Sequence, residues 1–323
     1  MGMMKTDRIA SALKHKSILS RGRVTYVLTR IVLYLLLINM AFIFLYPFLY
    51  MVVMSLKSYS DLIDSSVTWI LNSFHYQNYV IAYEVLDYGP KLLNSVFVTV
   101  LATAGHIFSC SLAGYAFARY QYKYVKRLFL LVIMAMVIPI QTLIIPIYMF
   151  FSRTGMLNTY IPLILPTFFG YGLKGALFIF LYRQFYLSLP KSLEEAASID
   201  GCGPIRTYLR IAFPSASSST LVCVVLSMVW HFNDFFEPSM YIRRQEKYLL
   251  PQTLPSIYNL LEQMAQKPGG TGLQVSLADI KEVYNYALVM ASAVLVILPL
   301  IIAYFIMQRW FMEGIERSGI TGE

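Results

Sequence analysis

Few side chains in this sequence have a type and spacing that could do chemistry. One group runs from Glu194 to Pro214: Glu194-Glu195-Ala196-Ala197, Asp200-Gly201, Ile211 and Pro214. A second is scattered through apolar surroundings: Tyr171 and Lys174, then Trp230, Asn233 and Asp234. Neither has the form of a catalytic constellation. There is no Gly-Lys-Ser/Thr phosphate loop, so the chain is not expected to bind ATP. The 4 histidines and 3 cysteines lack metal-ligand or disulfide spacing, and Cys110, Cys202 and Cys223 read as small apolar fillers. The expected chemistry is recognition, with no catalytic residue, no metal and no cofactor.

From Lys191 to Asp200 the residues favour a short helix. Ser192 is the N-cap candidate, and Glu194 and Glu195 fall in the first turn, where the helix dipole favours acids. Gly201 permits the left-handed conformation that ends such a helix. Pro204 suits the first turn of a second helix reaching Phe213, and Pro214 is expected to close it. On these grounds alone the helix-turn-helix fits an ordinary amphipathic loop as well as a docking element.

The elements that must position these residues are membrane helices. Hydrophobic residues fill 58% of the 323 positions and charged ones 13%, about half the roughly 25% of a soluble domain. Mean hydropathy is +0.60. Six stretches approach the roughly 20 apolar residues that span a bilayer: 31–56, 92–118, 128–151, 159–182, 215–236 and 287–308. The first is too long for a signal-peptide core and is expected to stay in the membrane. Pro139, Pro146, Pro162, Pro166 and Pro299 predict kinks or frayed ends within the later stretches.

The net charge of +9 does not point to nucleic acid, because the charges sit at the ends of apolar blocks and in short loops. Segments 1–30, 119–127, 183–214 and 309–323 hold 17 of the 26 Lys and Arg, against 8 in 57–91, 152–158 and 237–286. The positive-inside rule then puts both termini in the cytoplasm. The expected organisation is a cytoplasmic segment 1–30, a six-span domain 31–308 with a long inside loop 183–214, and a cytoplasmic tail 309–323. Segments 57–91 and 237–286, the latter with a turn cluster at 268–272, read as caps over the outer mouth.

Ionisable groups at mid-membrane cost at least about 2.5–3.5 kcal/mol and tend to face a cavity or partner. Lys174, among Gly170, Gly172 and Gly175, either faces such a path or snorkels. Asp234 and Glu237, at the end of the fifth stretch, are read as facing water. His106 is read as a hydrogen-bonded interior residue.

The pattern Glu195-Ala196-Ala197, three residues, Gly201, nine residues, Ile211, one residue, Phe213-Pro214 resembles the loop signature of permease subunits of ATP-binding-cassette importers. Phe213 stands where Leu is usual. Further matches resemble the carbohydrate-uptake branch: Tyr46-Pro47-Phe48, Gly114-Tyr115-Ala116-Phe117-Ala118-Arg119, Ile145-Pro146-Ile147-Tyr148, Asn233-Asp234-Phe235 and the tail Gln308 to Gly314. Together they cover about residues 40–320 and resemble the smaller, six-span permease of maltose-type importers.

The resemblance implies an all-α type I importer transmembrane domain in the bacterial cell membrane. It implies that Glu194, Glu195, Ala196, Ala197, Asp200, Gly201, Ile211 and Pro214 couple to an ATPase, which hydrolyses ATP in a separate subunit. The implied partners are a second related permease, two ATP-binding subunits and an extracytoplasmic solute-binding protein. The implied cargo is a sugar or oligosaccharide, with glycerol phosphate or a polyol as the alternative. Tyr171, Lys174, Trp230, Asn233 and Asp234 are candidates for its path. A secondary transporter or channel is the competing class; it would predict inverted repeats, and no clear internal repeat is present.

Overall fold

In lipid every backbone N–H and C=O needs a partner within the protein, and apolar blocks of this length meet that need as helices. The computed structural model describes residues 3–64, 69–120, 122–172, 174–266 and 286–320; among the described residues it is helical, with no strand. The turn cluster at 268–272 lies outside them. Helix α1 spans Met3–Ser55 without a break where the N-terminal segment was expected to end, and carries Pro47 within it. Short helices α2 (Tyr59–Ile63) and α3 (Gln77–Val85) lead into α4 (Tyr88–Arg119). The fifth and sixth helices, α5 (Val125–Val137) and α6 (Ile140–Arg153), make up the third apolar stretch.

Beyond them come α7 (Ile161–Ile164), a 3-10 turn Leu165–Phe169 and α8 (Gly175–Ser188). The expected coupling loop holds α9 (Ser192–Ile199), α10 (Pro204–Thr207), a π-helical turn Tyr208–Ala212 and α11 (Phe213–Ser215). Helix α12 (Ser217–Asn233) follows, then α13 (Phe236–Tyr241), α14 (Leu250–Thr253), α15 (Ile257–Gln266) and α16 (Tyr286–Ile320).

Among the described residues three helices are long and apolar enough to cross a membrane: Tyr26–Ser55 of α1, Tyr88–Arg119 and Tyr286–Arg309 of α16. The third and fourth expected spans are broken, while the fifth, 215–236, holds one continuous helix, α12 (Ser217–Asn233). Helices α5 and α6 meet at 99°, where Ile138 is extended before Pro139, the conformation a residue preceding proline prefers. The fourth stretch is not one helix. It breaks between the 3-10 turn and α8, with Gly170 and Lys174 both at positive φ (69° and 65°). Lys174 therefore sits at a chain break at the start of α8, not inside a continuous helix. The segment Pro204–Ser215 joins α12 at 75°.

Helix α1 packs along α16, yet no residue of its most apolar window is buried within the chain. The interior is built instead around α4, which packs on α8, α12 and the 3-10 turn. Lipid is as apolar as leucine, so such packing depends on close approach through small residues. At Gly114 of α4 an added Cβ would stand 2.6 Å from Tyr182 Cβ and 2.9 Å from the Arg183 backbone nitrogen, both of α8.

Gly114→Val is expected to destabilise the chain by about 1–3 kcal/mol, because the facing backbone cannot give way. Gly89→Ala, which meets only the Tyr83 hydroxyl at 3.6 Å, should be neutral. Thermal unfolding of the two variants in detergent separates them.

Candidate functional site

The loop between α8 and α12 folds back on the end of α4. Helix α9 starts after Lys191, in helical conformation, and no side chain caps it. The expected Ser192 cap is not made, because Ser192 is already the first helical residue. Its C-terminus follows the sequence reading. Gly201 has φ 79°, its N–H donates to Ser198 O, and Cys202 N–H donates to Ala197 O. These paired bonds close a helix around a left-handed residue. Pro204 opens the second arm in the first turn of α10. Pro214 does not end that arm; it lies inside α11, and the bend comes at the buried Ala216. The π-helical turn just before it absorbs the register change that a proline, with no N–H to donate, demands.

Both arms are clamped to α4. Arg119, in the last turn of α4, donates from Nε to Glu194 Oε1 at 2.7 Å and from Nη2 to Leu189 O at 2.9 Å. The Tyr115 hydroxyl donates to Glu194 Oε2 at 3.1 Å. The two charged side chains are only 8% and 16% exposed. On the second arm, the Tyr208 hydroxyl donates to Ser111 Oγ at 3.1 Å, and Ser111 Oγ also lies 2.7 Å from the Tyr186 hydroxyl of α8. Tyr115 packs against the rings of Tyr186 and Tyr208 at 5.3 and 5.2 Å. Sequence reasoning missed this clamp. Its one signal is a lone arginine ending an apolar run, with a lone acid pair in the next long loop.

Of the loop residues singled out, Glu194 thus turns inward and Ala197 is buried. Glu195, Ala196, Asp200, Gly201 and Pro214 are exposed, and Ile211 is half-buried. The exposed side also carries apolar residues without cover: Ile199 (87% exposed), Ile205 (75%) and Leu209 (56%). Gly203, Pro204, Ile205, Arg206, Leu209 and Arg210 line an open groove there.

The second candidate group is only partly brought together. Lys174 Nζ stands 5.7 Å from the Trp230 ring centroid, within cation–π range. Lys174 and Tyr171 line a cavity of about 580 Å³ against the α5–α6 bend, with Gln141 as its other polar side chain. Asn233 is exposed and bonds its own helix at Val229 O. Asp234 accepts from the backbone N–H groups of Phe236 and Glu237 and so starts α13. Glu237 does not face water as expected: it is buried, and its Oε1 has no hydrogen-bond partner within the chain. His106 is interior, its Nδ1 lying 3.3 Å from both Ser227 Oγ and His231 Nε2. Cys110 and Cys223 are buried, Cys202 half-buried, and all three are free. Among the described residues no group of three His, Cys, Asp or Glu could hold a metal.

The chain belongs to a known family of membrane permeases. Residues 110–317 match the family of binding-protein-dependent transport system inner membrane components. It is therefore a membrane-embedded, multi-pass importer permease, a class that works with ATPase and solute-binding partners. Among its relatives is the arabinooligosaccharides transport system permease protein AraQ of Halalkalibacterium halodurans, 27% identical over 87% of this chain and 93% of that protein. The lactose transport system permease protein LacG of Rhizobium radiobacter is 26% identical over 89% and 95%. The sn-glycerol-3-phosphate transport system permease protein UgpE of Pectobacterium atrosepticum is 27% identical over 72% and 74%. The fold matches a chain of a bacterial ABC transporter involved in the import of the acidic polysaccharide alginate, with TM-score 0.66 and 22% identity over 87% and 95%.

Tyr208→Ala is expected to cost about 3–5 kcal/mol, since it empties a buried aromatic site, and to release the second arm from α4. Trypsin should then cut at Arg206 and Arg210 at least about tenfold faster than in the parent, as opening of this arm becomes correspondingly cheaper. Unchanged cleavage would mean that the arm is held elsewhere.

Proposed function

We propose that this chain forms half of the translocation pathway of a sugar or oligosaccharide importer, and that its 183–214 loop couples the pathway to an ATP-binding subunit. The observation that carries this reading is the two-sidedness of the loop. Its inner side is clamped to α4, while its outer side presents Ile199, Ile205 and Leu209 to whatever lies beyond. Contiguous exposed apolar side chains rimmed by polar ones mark interaction surfaces, here with Glu195 and Asp200 on one arm and Arg206 and Arg210 on the other.

In this reading the chain crosses the membrane six times, each broken stretch counting as one span, with both termini and the coupling loop in the cytoplasm. The permease domain occupies 31–308 between a cytoplasmic segment 1–30 and a tail 309–323. The distribution of Lys and Arg supports that orientation. The complete importer holds a second, related permease, two ATP-binding subunits and an extracytoplasmic solute-binding protein. Helix α1, unburied over its most apolar window, is left there to lipid and to that second permease. Closure of the ATP-binding subunits moves the loop and rocks the bundle between inward- and outward-facing states. Cargo passes the cavity lined by Lys174 and Tyr171, with Trp230, Asn233 and Asp234 nearer the α12 end. Relatives that carry arabinooligosaccharides and lactose favour a sugar; the glycerol-3-phosphate relative keeps a phosphorylated polyol as the second reading.

Isolation of the tagged chain from native membranes should bring down an ATP-hydrolysing subunit. Ile205→Glu should lower the amount recovered about tenfold, equivalent to roughly 1.4 kcal/mol of docking energy. Gly201→Val, strained at its positive φ, and Glu195→Lys should each abolish ATP-dependent uptake while the chain remains in the membrane. A chain that purifies alone and transports without ATP would sink the reading in favour of a secondary transporter.

A further inference from the structure

Helix α4 has side-chain bonds to non-neighbouring segments at both of its ends. At the loop end are Arg119 and Tyr115 on Glu194, and Ser111 on Tyr208. At the other end, Ser95 Oγ accepts from the buried Leu250 N–H at 2.7 Å. Next to it, Asn94 Nδ2 donates to Glu246 O at 3.1 Å and to Tyr248 O at 3.3 Å. Val98, one turn further along, is buried with Tyr241, Ile242 and Leu249 in one apolar cluster. From Asn94 to Arg119 the two sets of contacts span 25 residues of helix, about 37 Å at 1.5 Å per residue, more than the roughly 30 Å of a bilayer's hydrocarbon core.

The other possible routes between these ends are interrupted or loose. Helices α5 and α6 bend by 99°, and the second loop arm meets α12 at 75°. The fourth apolar stretch breaks before α8. Helix α1 is unburied over its apolar window, and α16 is 17% buried there against 44% for α4. Among the described residues α4 is the helix that is long, unbroken and packed. A rigid element fixed at both ends transmits a displacement, whereas a hinged one absorbs it.

We propose that α4 is the rod through which movement of the coupling loop reaches the segment 241–250 at the opposite end of the bundle. Arg119, Tyr115 and Ser111 are the positioning residues at one end, and Ser95 and Asn94 those at the other. This rests on the importer reading. Because Asn94 and Ser95 bond backbone groups of that segment, the attachment is broken by changing α4 and hardly at all by changing side chains at 246–250. Coupling of this kind is reciprocal: whatever docks on 241–250 also biases the loop through the same helix.

The test uses the whole complex, isolated through a tag on this chain and placed in lipid nanodiscs. The exposed Arg244 is replaced by cysteine, and its reaction with a polar maleimide is read at its own peptide by mass spectrometry, with and without AMP-PNP. The nucleotide should change that rate roughly five- to tenfold in the parent, a coupling of ordinary size, and less than about twofold in Glu194→Gln and in Ser95→Ala, with the ATP-binding subunits still present. The double exchange Arg119→Glu with Glu194→Arg should restore at least half of the response. Should Glu194→Gln fail to accumulate, Tyr115→Phe removes one hydrogen bond and no charge and carries the same expectation. A full nucleotide response in these variants overturns the rod. So does a parent complex that holds its ATP-binding subunits yet shows no response at residue 244. A parent chain that brings down no ATP-binding subunit overturns the importer reading instead.

Discussion

Everything described above hangs on the close approach of α4 and α8. Two helices in lipid gain nothing from hiding apolar surface, so their association depends on fit. At Gly114 the missing side chain lets the α4 backbone lie against Tyr182 and Arg183. That approach brings Ser111 and Tyr115 of α4 within reach of Tyr186 and Tyr208. Without it the tyrosine cluster could not close, and the second arm of the loop would have no seat.

The charged half of the clamp works on a different balance. A buried ion pair repays its desolvation only when its remaining polar atoms are satisfied. Arg119 and Glu194 meet that condition well. The carboxylate accepts from Arg119 and Tyr115, and the guanidinium also donates to Leu189 O. Each charge suits its own helix too: the cation lies in the last turn of α4 and the acid in the first turn of α9, where the helix dipoles favour them. The pair therefore orients the loop without leaving an uncompensated charge below the surface.

Much of the fold was legible in the sequence. The apolar blocks announced helices, and Gly201 and Pro204 announced where the loop helices stop and start, because those signals are local. The Ile138-Pro139 break was local as well, although its angle was not. Other features were hidden because they depend on partners distant in the chain. Glu194 and Glu195 are adjacent acids that could not be told apart until Arg119 selected one of them. Lys174 looked like a charge within an unbroken helix because apolar composition does not reveal that Gly170 and Lys174 leave the helical conformation. Glu237 looked solvent-facing by its position, yet α13 folds it inward. Ser192 lost its capping role because the helix begins one residue before a cap at that position would allow.

The mutual packing of the first and last long helices has a consequence for how the chain is made. Tyr88 bonds the Leu295 carbonyl across 207 residues. Ile81, Val85 and Leu86 share their apolar cluster with Leu288, Ala291 and Val296. Helix α1, made long before α16, finds its main neighbour within the chain only when α16 is synthesised. The early segments must wait in the bilayer with that cluster open until α16 has been made. A ribosome that stops short of residue 286 releases a polypeptide whose first long helix keeps contacts near its C-terminal end, such as Ser55 with Asn78 and Tyr79, but lacks its main neighbour, and which membrane proteases can tell apart from a chain that carries α16.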